Sequence, residues 1–124
     1  MTKHRPIPEE VKVAVGAAEE KQAVGLTLLD LGEGSSFTDY FLIAGGRNIR
    51  QCQAIADEVQ DQLSKEGLRA MHIEGYPQGE WILLDFGFLV VHVFSEKARA
   101  FYDLERLWRT AHRVSLGGNL GEAH

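Results

Sequence analysis

The 124-residue chain lacks several features that would assign it to a common functional class. It has one cysteine, Cys52, so an internal disulfide and a zinc site built mainly on cysteines are both excluded. No apolar run approaches the roughly 20 residues that a membrane-spanning helix needs. Residues 1–10 are polar and carry no apolar signal segment, so we expect a cytoplasmic protein.

Positive charge is also in the minority. The chain has 13 lysines and arginines against 18 aspartates and glutamates, which gives a net charge of −5. An acidic chain is not a general binder of nucleic-acid backbones, because such binding depends on many cationic contacts. The composition fits binding to a basic protein, and a local basic stripe could still touch nucleic acid.

The remaining composition is that of one folded domain. Hydrophobic residues make up 44% of the chain and charged residues 25%, which is ordinary for a globular protein. The length is also typical of a single domain. We assign residues 1–114 to one domain and expect the tail, residues 115–124, to be mobile.

Hydrophobic periodicity predicts three helices and five strands. The predicted helices cover residues 8–22, 49–66 and 96–112. The predicted strands cover residues 25–31, 38–44, 68–74, 81–86 and 89–94. Asn48 and Ser95 are suitable N-caps, Gly67 ends the second helix, and a hairpin turn is expected near Gly87. The order α-β-β-α-β-β-β-α predicts an α/β (α+β) fold, with a mixed five-stranded sheet and helices mainly on one face.

The two strands of the hairpin are largely apolar on both faces. Trp81, Leu83 and Asp85 share one side of the first strand, and Val90, His92 and Phe94 share one side of the second. Three helices could leave part of one face of a five-stranded sheet uncovered. An uncovered apolar face with a few polar groups would be a docking surface. The alternative is that both faces are simply core.

A second candidate surface is the segment FYDLERLW, residues 101–108. Tyrosine, tryptophan and arginine are the residue types that dominate interface hot spots. In an ordinary amphipathic helix Trp108 would pack on the sheet. The residues expected to face outward or edge-on are Tyr102, Asp103, Glu105 and Arg106. The segment therefore adds outward-facing residues to the candidate docking surface.

Four arginines recur along the last predicted helix, at positions 99, 106, 109 and 113. They could form a basic edge that touches nucleic acid locally. We favour the alternative, in which they are a solvated helix face whose charges suit the C-terminal end of the helix.

Enzymatic alternatives have weaker support. His72 and Glu74 share a strand face, and Asp85 and His92 could lie near them, but this spacing is not specific for a metal. No G-x-S-x-G sequence surrounds a serine nucleophile, and Cys52 lies on the buried side of a helix, where thiols are usually inert. We therefore predict no catalytic residue and no metal.

The glycine pair at 45–46, just before the second helix, could belong to the phosphate-binding loop of an enzyme. A helix N-terminus can bind anions, but neither G-x-x-x-x-G-K-[ST] nor G-x-G-x-x-G is present. Two-metal nucleotidyl transfer would need paired carboxylates on a nearby strand, whereas Asp57, Glu58 and Asp61 lie on the helix. No cofactor is predicted.

Several blocks of the sequence resemble, in order, those of the Iojap/ribosomal silencing factor family. The matching blocks are TDYFLIA at 38–44, RQ…AIAD at 50–57, EG at 74–75, WILLD at 81–85, VHVF at 91–94 and FYDLERLW at 101–108. The resemblance covers about residues 11–112. Asn48 stands where the family usually has serine, and Phe88 where aspartate is common.

The resemblance implies a nucleotidyltransferase-like fold without catalytic carboxylates, and a non-enzymatic protein. It implies docking on the large ribosomal subunit through ribosomal protein fourteen, which blocks association with the small subunit and represses translation. Alternatives that stay open are a nucleotidyltransferase-fold enzyme binding nucleotide and metal, a local contact with ribosomal RNA, and a homodimer of the free protein. On or near the docking surface the resemblance places Trp81, Leu83, Asp85, His92, Phe94, Tyr102, Asp103, Glu105 and Trp108.

Overall fold

The computed structural model describes residues 6–32, 38–102, 106 and 112–116. The described residues form three helices: α1 (Glu9–Glu20), α2 (Ile49–Lys65) and α3 (Glu96–Tyr102). They also form six strands: β1 (Val24–Asp30), β2 (Tyr40–Gly46), β3 (His72–Glu74), β4 (Trp81–Asp85), β5 (Leu89–Ser95) and β6 (His112–Val114). No helix in this part of the chain has both the length and the apolarity needed to cross a membrane.

The six strands make one mixed sheet in the order β3-β4-β5-β2-β1-β6. β2 and β5 are parallel, and the other neighbours are antiparallel. The predicted fold class is confirmed, and so is the hairpin of β4 and β5, in which Trp81 lies opposite Phe94. The predicted number of five strands is wrong, because β6 adds a sixth strand along the outer edge of β1.

The C-terminal region accounts for this difference. His112, the last residue of the predicted third helix, begins β6, which pairs with β1 so that Leu28 lies opposite Val114. Three residues are too few for alternation to reveal a strand, and its backbone partners are about 80 positions away in the sequence. Residues 103–105 and 107–111 lie outside the described residues, as do 117–124 of the expected mobile tail.

The larger core cluster joins α1 and α2 to one face of the sheet. The apolar residues that recur at helical spacing along α2 are all buried: Cys52, Ile55, Ala56, Val59 and Leu63. They pack in one cluster with sheet residues that include Leu42, Leu84 and Val91. These two helices thus cover the same face, as the sequence predicts.

The opposite face carries a smaller apolar cluster. It contains Leu29, Phe41, Ile43 and Phe94 from the sheet and Ala98 from α3, with Trp81 packed against it. α3 therefore reaches the face that α1 and α2 leave uncovered.

Both predicted N-caps are present. The Asn48 side chain accepts a hydrogen bond from the Gln51 amide at 2.8 Å, and Ser95 Oγ accepts one from the Ala98 amide at 3.1 Å. Each bond satisfies an amide that has no partner inside its helix. The cap of α2 fixes where this 17-residue helix begins on the sheet.

Replacing Asn48 by alanine should lower the free energy of unfolding by about 1 kcal/mol, because the Gln51 amide loses its acceptor. Asn48→Ser is the matched control, since serine also caps helices, and it should cost only a few tenths of that amount. Urea unfolding curves followed by circular dichroism measure both values. Equal losses in the two variants would show that the cap does not contribute in this way.

Candidate docking surface

The sheet face opposite α1 and α2 brings together all five predicted docking residues of β4 and β5. Trp81 lies opposite Phe94, and Leu83 lies opposite His92. Asp85 completes the row on β4. Directly opposed residues of antiparallel strands share one face, so these five side chains lie on the same side of the sheet.

These five side chains differ in exposure. Trp81, Leu83 and Asp85 on β4 are partly exposed. His92 is only 4% exposed and Phe94 is fully buried, so both lie beneath the surface and do not form it. Of these five side chains, the three on β4 are therefore the accessible ones, and the two on β5 support them.

Aromatic rings make up this support. The ring centroids of Trp81 and Phe94 are 5.0 Å apart, and those of Phe41 and His92 are 4.7 Å apart in an edge-to-face arrangement. The His92 ring also lies nearly parallel to that of Phe94, at 6.1 Å. Contacts of this kind add to the free energy of area burial and hold the rings in defined orientations.

One hydrogen bond crosses this aromatic cluster. The Trp81 indole Nε1–H donates to His92 Nδ1 at 3.0 Å. Since an indole nitrogen can only donate, Nδ1 must be unprotonated, and the proton of the neutral imidazole is on Nε2. Nε2 is buried and has no hydrogen-bond partner. Among the described residues, every other buried side-chain nitrogen or oxygen has one. A buried donor left unpaired costs about 1–3 kcal/mol.

Burial lowers the pKa of His92 to about 4, from an ordinary value of 6.5. The imidazole is therefore neutral at pH 7, in agreement with its role as an acceptor for the indole. A protonated ring would carry hydrogens on both nitrogens and could not accept this bond.

The turn before β4 fixes where Trp81 begins the strand. Gly75 has φ of +79°, and a Cβ at that position would lie 2.0 Å from the carbonyl oxygen of Trp81. Only glycine allows this backbone conformation together with so close an approach.

Asp85 has a structural role that the sequence interpretation missed. One of its carboxylate oxygens accepts a hydrogen bond from the Gly87 amide at 2.8 Å, and Gly87 has φ of +94°. Thr38 Oγ1 donates to the Gly87 carbonyl at 2.8 Å, which ties the same turn to the chain before β2. The Asp-x-Gly spacing before a hairpin strand is a known turn pattern and would have indicated this bond. Asp85 therefore holds the hairpin turn and also borders the candidate docking face.

One nitrogen of the metal-binding alternative is already occupied, because His92 Nδ1 accepts a hydrogen bond from the Trp81 indole. His72 and Glu74 on β3 contact each other at the exposed edge of the sheet. The described residues contain no group of three or more histidine, cysteine, aspartate or glutamate side chains placed to hold a metal ion.

The glycine pair before α2 forms the end of β2, whereas the predicted strand ended at residue 44. A Cβ at Gly46 would lie 2.7 Å from Cys52 Sγ, so the start of α2 packs directly on this strand end. A cavity of about 580 Å³ nearby is lined by charges of both signs, including Arg47, Arg50 and Glu80.

Two of the four arginines fit neither the basic edge nor the solvated helix face that we favoured. Arg99 is partly buried and donates to Thr27 Oγ1 at 3.2 Å, so it fastens α3 to β1. Arg113 lies on β6, opposite Leu29. The helical spacing that suggested one edge does not apply, because β6 is a strand.

The remaining candidates are the C-terminal residues Tyr102, Asp103, Glu105 and Trp108. Tyr102 is the last residue of α3, but its side chain lies outside the described residues. Asp103, Glu105 and Trp108 lie outside them entirely.

Comparisons with known proteins agree on one family. A family model described as "Ribosomal silencing factor during starvation" matches residues 4–123. Ribosomal silencing factor RsfS from Bacillus subtilis (strain 168) is 41% identical over 106 residues, which is 86% of this chain and 90% of the relative. The chloroplastic protein Iojap of Zea mays is 32% identical over 100 residues, covering 81% of this chain and 43% of the relative. A crystal structure of a protein from Chromobacterium violaceum superposes with a TM-score of 0.80 at 32% identity, covering 95% of this chain and 98% of the other.

Lowering the pH should destabilise the fold through His92. Its pKa is lower in the folded chain than in the unfolded chain, so the unfolded chain takes up this proton first as the pH falls. The stabilisation is complete above pH 6.5 and is lost as the pH falls toward 4. Between pH 7 and pH 5, His92 should account for a loss of roughly 2 kcal/mol in the free energy of unfolding.

Urea unfolding at a series of pH values measures this loss. His92→Phe should flatten the curve over this range, because it removes the titrating group. His72→Gln is the control for loss of a histidine as such, since His72 is exposed at the edge of the sheet. A slope that survives in His92→Phe would assign the effect to other groups.

Proposed function

The chain belongs to the Iojap/ribosomal silencing factor family, and we propose that it docks on the large ribosomal subunit through ribosomal protein fourteen. Docking then blocks association with the small subunit and so represses translation. The observation that carries this proposal is the single sheet face on which Trp81 and Leu83 stay partly exposed above buried aromatic rings.

The residue types on this face suit a protein interface. Tryptophan is among the residues most often found at hot spots, and here it rests on the Phe94 ring at 5.0 Å. Leu83 lies beside it on the same strand and the same face. An anchor held rigidly before binding loses less conformational entropy when the partner arrives.

Acidic groups border the apolar centre of the face. Glu74 is exposed and lies opposite Leu83, in the middle of the β4 row, and Asp85 is the last residue of that row. The chain as a whole carries a net charge of −5. These charges favour a basic partner such as a ribosomal protein, and they would act mainly on the rate and specificity of association.

We propose that the protein acts in the cytoplasm by occupying this site on the subunit, and that it catalyses no reaction. The competing proposal, a nucleotidyltransferase-like enzyme, requires binding of nucleotide and a divalent metal. Melting curves recorded with each nucleoside triphosphate and magnesium separate the two. A clear stabilisation by any of them would favour the enzyme.

The direct test has two parts. The purified chain should cosediment with isolated large subunits in a sucrose gradient, and ribosomal protein fourteen should crosslink to it. Added before mixing of the subunits, the chain should lower the yield of joined ribosomes. A chain that binds large subunits but leaves joining unchanged would retain the docking proposal and end the blocking proposal.

Leu83→Ala should weaken docking, because it removes an apolar contact from the centre of the face. We expect a loss of about 1–2 kcal/mol in binding free energy, or roughly 5- to 30-fold in Kd. Cosedimentation at several protein concentrations, or fluorescence anisotropy of a labelled chain with added large subunits, measures this change.

Ile73→Ala is the matched control for this prediction. Ile73 is 42% exposed and lies opposite Leu84, on the sheet face that α1 and α2 cover. It should leave Kd unchanged. If both variants fold and bind as well as the unaltered chain, Leu83 is not part of the docking surface.

A further inference from the structure

The buried histidine of the docking face presents a physical problem. His92 is 4% exposed and is surrounded by rings, with Phe41 at 4.7 Å and Phe94 at 6.1 Å between ring centroids. Its Nε2–H has no acceptor, so the histidine carries an energetic penalty that phenylalanine would not carry at the same place. Packing alone does not explain a histidine here.

What histidine provides and phenylalanine does not is the acceptor at Nδ1. This nitrogen receives the Trp81 indole Nε1–H at 3.0 Å. Trp81 is partly exposed on the face proposed to dock, whereas His92 has no exposed polar atom to offer a partner. The histidine can therefore influence docking only through the indole.

We propose that His92 is a positioning residue, which holds the Trp81 indole in its docking orientation by accepting the Nε1–H bond and does not itself touch the partner. This inference rests on the proposed function, since it gives a buried residue of that same face its role. The hydrogen bond selects one of the two ring flips of the indole, because flipping the ring would carry Nε1 away from Nδ1. The indole edge that faces outward is thereby fixed before the partner arrives.

Two substitutions at this position separate positioning from packing. His92→Phe keeps an aromatic ring among Phe41 and Phe94 and removes the unpaired donor, but it offers the indole no acceptor. His92→Asn places an amide oxygen near the position of Nδ1, so it can still accept the indole bond. It also leaves a smaller side chain and unpaired amide hydrogens in an apolar site.

The two variants should rank in opposite orders for stability and docking. His92→Phe should melt at the same temperature as the unaltered chain or higher at pH 7, whereas His92→Asn should melt lower. For docking, His92→Phe should raise Kd for isolated large subunits by about 3- to 10-fold, because the indole must be ordered on binding. His92→Asn, measured where it is fully folded, should recover most of the affinity that His92→Phe loses.

Trp81→Phe gives the matching cycle. It removes the Nε1–H, so His92→Phe should have no further effect on Kd when combined with it. Independent additive losses in the double variant would mean that His92 acts by a route other than the indole.

A spectroscopic measurement tests the positioning without a ribosome. The chain has two tryptophans, so a ¹H–¹⁵N correlation spectrum shows two indole N–H signals, and Trp81→Phe assigns one of them. That signal should exchange slowly with solvent in the unaltered chain and in His92→Asn. In His92→Phe it should exchange faster and shift upfield, as expected for loss of its hydrogen bond.

The outcomes distinguish this inference from the proposed function. If the unaltered chain does not bind large subunits, the proposed function fails, and the indole signal still reports whether His92 orders Trp81. If the unaltered chain binds and His92→Phe binds equally well, the positioning role is overturned and the docking proposal stands. Docking that follows melting temperature across both variants would make His92 a packing residue only.

Discussion

The whole structure depends on the parallel pairing of β2 with β5 at the centre of the sheet. All seven residues of β2 are buried, and so are all residues of β5 except Val90. Because both central strands are apolar on both sides, the sheet must be covered on two faces to be stable in water. α1 and α2 form one continuous core with the first face. On the second face α3 contributes Ala98, and the apolar surface continues outward across β4 as far as Trp81 and Leu83.

This requirement links the stability of the sheet to the proposed docking face. The buried rings of Phe41 and Phe94 are core residues, yet they are also the floor on which Trp81 rests. The proposed docking face is thus the outer margin of a core cluster, and the hydrogen-bonded strands of the sheet hold it in place. A position such as His92 must both pack in the core and support Trp81. Its unpaired Nε2–H is a local energetic cost that a purely structural core would avoid.

Much of this arrangement could be predicted from the sequence, wherever the determining interactions are local. The caps at Asn48 and Ser95, the buried side of α2 and the hairpin of β4 and β5 depend on residues close together in the chain, and all are confirmed. β6 was missed because a three-residue strand is specified by its partner β1, far away in the sequence. The sequence placed Trp81 and His92 on candidate surfaces, but not in contact. Their hydrogen bond requires the register of β4 on β5 and two side-chain orientations, none of which follows from alternation.

The location of the proposed site also explains why one hydrogen bond can orient its main side chain. In a fold that works through a loop at a strand end, the glycines of that loop must leave space for a ligand, whereas here the start of α2 packs against Gly46 at Cys52. The proposed site is instead a row of side chains on a sheet, where the backbone already fixes the position of every Cβ. The conformational freedom that remains is in the side-chain torsions. Among the partly exposed side chains of the β4 row, the Trp81 indole has the largest surface to orient. A single acceptor beneath it, His92 Nδ1, is sufficient to remove most of that freedom before a partner binds.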